Sequence, residues 1–203
     1  MQKEAKAREV SRRQMVTTAT TVPLVQLAVA NAADVAGERA FTRPQLRIVE
    51  AFVERLIPSD EHGPGARESG VATYIDRSFA GVLAKERGAF SAGLASVDVL
   101  AHRRHGAAFA DLNATKQDEV LTAMENNEAE GFVPNSRAFF LRMRQLTLEG
   151  MFGDPYYGGN RGFAGWDLIR YPGPRMAVSA EEQKLRDPIK PLRRSARGGR
   201  HGD

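Results

Sequence analysis

Apolar residues return at helical spacing along most of the chain. Phe41-Thr42-Arg43-Pro44-Gln45-Leu46 opens the first such segment. Thr42 predicts an N-cap and Gln45, three residues on, completes a capping box, with Phe41 and Leu46 placed to staple the entry. Leu46, Val49, Phe52, Val53 and Leu56 then recur on one helical face until Pro58 ends the pattern. A second helix is predicted from about Val71 to Lys85, with Ala72, Ile75 and Phe79 inward. A third runs from about Ala89 to His102 on Phe90, Leu94, Val97 and Leu100, with Gly106 as its stop. Asn113 caps a fourth, whose Val120, Leu121 and Met124 face in. Ser136 is expected to cap a fifth, ending near Gly150, with Phe139, Phe140, Met143, Leu146 and Thr147 at its buried side. No alternating strand pattern competes. The fold class is therefore all-α, an irregular bundle of about five helices.

Residues 153–176 break the pattern. Six glycines and three prolines there argue against a helix, yet the segment holds the single Trp and three of the four Tyr. Disordered linkers are poor in aromatics. The segment is therefore expected to be an ordered loop, laid across the bundle or against a partner. Its Tyr156, Tyr157, Phe163, Trp166 and Tyr171 are candidates for partner contact, because aromatics bury much area at low entropic cost. Packing against the chain's own bundle is the competing reading for each. Arg161 and Arg170 can pair with partner acids or face water.

The ends change the picture of charge. The formal net charge is +4, but residues 1–32 hold 5 basic against 2 acidic residues and residues 184–203 hold 7 against 2. The middle, 33–183, has 17 basic and 21 acidic residues. The basicity thus belongs to the ends and gives no support to a nucleic-acid-binding domain. The final stretch, 177–203, reads as a basic, Gly-rich, disordered tail. No apolar run reaches the roughly 18 residues of a spanning helix.

The N-terminal 32 residues have the three parts of an export signal. A polar basic stretch ends in Ser11-Arg12-Arg13-Gln14, a Thr-diluted apolar segment follows, and Ala-x-Ala occurs at 28–30 and at 30–32. The adjacent Arg12 and Arg13 resemble the twin-arginine pattern, read by a translocase that moves folded proteins. Cleavage is expected after Ala32, with Ala30 as the alternative. An amphipathic helix or a basic arm is the plainer reading.

Little of the chain suggests chemistry. The absence of cysteine removes disulfides, thiolate metal sites, covalent c-type haem attachment and a Cys nucleophile. Gly158-Gly159-Asn160-Arg161-Gly162 has the wrong spacing for a dinucleotide loop, and no strand precedes it. His102 and His105 have metal-compatible spacing but two intervening arginines and no third ligand. Asp60-Glu61-His62 reads as a surface turn. Asp154 and Asp167 read as turn caps, because no nucleophile or oriented base accompanies them.

The run Glu149-Gly150-Met151-Phe152-Gly153-Asp154-Pro155-Tyr156-Tyr157-Gly158-Gly159-Asn160, continuing through Gly165-Trp166-Asp167 to Tyr171-Pro172-Gly173-Pro174, closely resembles the C-terminal signature of the gluconate 2-dehydrogenase subunit 3 family. Leu56-Ile57-Pro58-Ser59-Asp60, Gly65-Ala66, Gly70-Val71 and Tyr74-Ile75-Asp76 match that family's N-terminal pattern, so the resemblance spans about residues 41–176. It implies a small subunit without catalytic residues or a cofactor of its own. The large partner it implies is a flavoprotein of the glucose–methanol–choline oxidoreductase type, carrying FAD. A multihaem cytochrome c, carrying haem c, would pass electrons onward. The complex would act on gluconate, other sugars or polyols and would face the periplasm, held peripherally on the inner membrane. The small subunit would carry the export signal for the flavoprotein. A stand-alone exported enzyme or sugar-binding protein, using the aromatic loop for its ligand, is the alternative. A cytoplasmic helical adaptor requires the leader reading to be wrong.

Overall fold

The computed structural model describes residues 39–175, 177–184 and 189–197. Among these, six α-helices and four single 3-10 turns account for the regular structure, and no strand is present beyond the isolated bridge Asp60–Gly63. The helices are α1 (Arg43–Leu56), α2 (Val71–Ala80), α3 (Arg87–His105), α4 (Ala114–Glu125), α5 (Ser136–Phe152) and the short α6 (Ala164–Leu168).

Helix α1 starts where the capping box places it. The Thr42 backbone N–H donates to Gln45 Oε1 at 2.9 Å, and the Gln45 N–H reaches Thr42 Oγ1 at 3.5 Å. The chain entering α1 is held by a second device: Asp76 Oδ1 on α2 accepts the backbone N–H groups of both Ala40 and Phe41 at 3.0 Å. Leu46, Ile48, Val49, Phe52 and Val53 are buried, and α1 lies against α2, α3, α4 and α5. Arg55 fixes it to α4 through two bonds to the Asp118 carboxylate, at 2.7 and 2.9 Å. That pairing holds the Arg55 guanidinium charged more firmly than usual.

A chain of aromatic rings crosses the core. Phe41 meets Phe79 at 5.2 Å between centroids, Phe79 meets Phe90 at 4.2 Å, Phe90 meets Phe139 at 5.2 Å, and Phe139 meets Phe132 at 5.7 Å. Tilted pairs of this kind add about 0.5–1.5 kcal/mol each beyond the area they bury. They connect the entry of α1 to α2, α3 and α5.

Several boundaries differ from the sequence expectation. Helix α2 stops at Ala80 rather than near Lys85, because the chain turns at Gly81 and re-forms a 3-10 turn over Ala84–Glu86. Helix α3 is longer at both ends than predicted and stops at Gly106, which takes a left-handed conformation (φ 74°). Asn113 caps α4 as expected, accepting the Lys116 N–H at 3.0 Å. The cap of α5 is Asn135, not Ser136: the Asn135 carboxamide oxygen accepts the Ala138 N–H at 2.9 Å. Ser136 is instead fully buried and donates its hydroxyl to the Met124 carbonyl, tying α5 to α4. None of the described helices is long and apolar enough to cross a membrane.

Candidate functional site

The Gly/aromatic segment folds onto the ends of α5 and α2. Two stretches far apart in sequence meet there: the Arg161 backbone N–H donates to the Ser69 carbonyl at 2.9 Å, just before α2 begins. Helix α5 joins the same corner through Glu149, whose Oε2 accepts the Tyr74 hydroxyl at 2.9 Å. Burial, and then that bond to Glu149, push the Tyr74 phenol up to about 12.

Asp154 starts the loop by accepting the Tyr156 N–H at 2.9 Å, the capping role its position suggests. Asn160 then organises the loop. It is completely buried and left-handed (φ 46°), and both ends of its carboxamide are used. Nδ2 donates to the Gly153 carbonyl at 2.8 Å, and Oδ1 accepts the Gly165 N–H at 2.8 Å and the Trp166 N–H at 3.4 Å. One side chain therefore closes the loop on itself and supplies an acceptor at the start of α6. The sequence reading missed it. The signal was present in Gly-Gly-Asn, since Asn tolerates the left-handed region that other side chains avoid.

Trp166 completes the attachment. Its indole N–H donates to the Phe152 carbonyl at 2.9 Å, at the end of α5. Its ring packs on Phe163 at 5.5 Å and edge-on against Tyr171 at 4.9 Å. Gly165 must lack a side chain, because a Cβ there would lie 1.8 Å from the Met151 carbonyl oxygen. The segment expected to be free of helix thus contains α6, five residues long, which the glycines permit because they let it approach α5.

The structure divides the candidate contact residues. Phe163 and Trp166 are 9% and 6% exposed and serve the loop's own packing. Tyr157 and Tyr171 are 44% and 38% exposed, and Arg161 and Arg170 also face out. Leu168 and Ile169, which the sequence reading did not single out, are exposed as well, Ile169 to 54%. Tyr156 is half-buried and lies edge-on to Tyr157 at 5.3 Å. The site is thus a rigid base, built by Asn160, Phe163 and Trp166, that displays tyrosines, aliphatic side chains and arginines. Such side chains are suited to binding a surface.

The other candidates lie elsewhere. His102 Nδ1 is 2.9 Å from the Asp98 carbonyl, and His105 Nε2 is 3.4 Å from Glu119 on α4. Among the described residues no group of three His, Cys, Asp or Glu side chains is gathered to hold a metal. Asp60 accepts the His62 N–H at 2.8 Å within an exposed turn. Arg12, Arg13, Ala30 and Ala32 lie outside the described residues.

The model of one protein family, described as gluconate 2-dehydrogenase subunit 3, matches residues 43–173. Those residues run from the first turn of α1 to Gly173 in the aromatic loop and include every residue of the Asn160 network. The comparisons with curated proteins and with solved structures gave no match.

Proposed function

The chain belongs to the gluconate 2-dehydrogenase subunit 3 family, and from that premise we propose that it is the non-catalytic small subunit of a flavin-dependent dehydrogenase complex, which it helps to assemble and export. FAD belongs, in this reading, to a large flavoprotein partner of the glucose–methanol–choline oxidoreductase type, and haem c to a multihaem cytochrome partner. The complex acts on gluconate or a related sugar or polyol. It faces the periplasm and is held at the inner membrane through its partners.

The observation that carries the reading is the family match over the whole helical domain and loop. The geometry supports it independently. Tyr157, Leu168, Ile169 and Tyr171 are exposed on a loop that several buried bonds hold rigid. A preorganised surface bearing exposed aromatics loses little entropy on docking, and such residues carry much of the energy of protein interfaces. A bound small subunit stabilises its partner by mass action.

Arg12 and Arg13 supply the address in this scheme, and the flavoprotein crosses as a folded passenger. Replacing both (Arg12→Lys with Arg13→Lys) should leave the flavoprotein in the cytoplasm, as fractionation and flavin absorbance would report. Unchanged export of both chains in that double variant would overturn the escort role.

A further inference from the structure

The basic tail, read from its composition as disordered, is folded over the aromatic loop for residues 189–197. The Leu192 N–H donates to the Pro172 carbonyl at 2.9 Å. The backbone of Leu192 crosses Gly173 so closely that a Cβ at 173 would lie 2.2 Å from the Leu192 carbonyl oxygen. Arg193 pairs with Asp167, and the Ala196 N–H donates to Asp154 Oδ2 at 2.8 Å. The Arg197 guanidinium sits over the tyrosine pair, 5.8 Å from the Tyr156 ring and 5.5 Å from the Tyr157 ring. Arg175 holds the start of the segment through the Lys190 carbonyl.

These are the contacts by which a protein reads an extended peptide. Two carboxylates take a guanidinium and a backbone amide, and an aromatic pair takes a second guanidinium. The segment lies beyond the residues the family model matches. The main hydrophobic cluster of the bundle draws on no residue of the segment, so the segment is held by the aromatic loop rather than by that cluster. The Arg193–Asp167 pair is exposed on both sides and is individually weak. Attachment to the same chain compensates by giving the segment a high effective concentration.

We propose that residues 189–197 form a displaceable, built-in cover of the Asp154, Tyr156, Tyr157 and Asp167 surface, which recognises an extended arginine-bearing segment. A partner docking on that surface competes with the cover. This last step rests on the docking reading given above, whereas the recognition of the segment does not.

The test uses the full chain, a full chain carrying Arg193→Ala and Arg197→Ala, and a chain ending at Lys184. A synthetic peptide of residues 189–197 serves as the probe. Amide exchange over residues 154–173 should rise in both variants. Adding the peptide should restore protection in the shortened chain, and a peptide with alanine at 193 and 197 should not. Equal exchange in all three chains, or equal restoration by both peptides, overturns the proposal. The shortened chain should also bind the flavoprotein about tenfold more tightly, the gain expected if the cover is closed about nine-tenths of the time. Equal or weaker binding overturns the competition. Restored protection by the peptide, with no flavoprotein binding by any version, upholds the cover and removes the docking role.

Discussion

Asn160 Nδ2 donates to the Gly153 carbonyl at 2.8 Å, across the mouth of the aromatic loop. Through its other end the same carboxamide accepts the Gly165 N–H at 2.8 Å. Loss of that side chain would strand a donor and an acceptor inside the protein. It would also leave a left-handed backbone without the side chain that tolerates it. Asn160→Ala is therefore expected to destabilise the domain by about 2–4 kcal/mol. Denaturant unfolding measures this, and a loss under about 0.5 kcal/mol would remove Asn160 from its organising place.

Gly165→Ala tests the docking of α6 on α5. The added methyl would meet the Met151 carbonyl oxygen, a backbone atom that cannot swing aside. A cost of about 3 kcal/mol or more is expected, at the upper end for overpacking. Gly88→Ala is the control, because a Cβ there meets nothing within 4 Å and lies in the first turn of α3. It should be neutral or stabilise by up to about 1 kcal/mol. Equal thermal shifts for the two variants would contradict the close approach.

Tyr74 should titrate near pH 12 rather than near 10, because burial and then its bond to Glu149 disfavour the phenolate. Its folded value is raised, so the folded state holds this proton more tightly than the unfolded state. The stabilisation it brings is complete below about pH 10 and is lost as pH rises from about 10 to about 12. Ultraviolet titration of the folded protein should show a late tyrosine that is lost in Tyr74→Phe. A late tyrosine that survives in Tyr74→Phe would assign the shift to another residue.

The parts of the fold that were legible in the sequence were set by local chemistry. Thr42 with Gln45, and Asn113, name their own helix starts because a cap is satisfied within three residues. Ser136 misled because Asn135 and Ser136 are both good caps. A tertiary bond from Ser136 to the Met124 carbonyl decided between them. In the loop, aromatic content argues for packing of the segment. It could not say which rings turn inward, since that depends on where α5 ends and on the bond from Trp166 to Phe152. Asn160 was overlooked because its role depends on backbone groups at Gly153 and Gly165 that only the folded loop brings to it. Composition, which reports average burial, gave no sign of the specific contacts that Asp154, Asp167 and the tyrosine pair make with Ala196, Arg193 and Arg197.

In the function proposed, this chain grips a flavoprotein and carries no redox centre of its own. Purification of the tagged chain, coexpressed with a candidate flavoprotein subunit, tests it most directly through the flavin spectrum and dehydrogenase activity. Both are expected only when the flavoprotein is retained, and Tyr157→Ala with Tyr171→Ala should lower retention about tenfold or more. Flavin or haem absorbance, with matching turnover, from the isolated 203-residue chain would contradict it.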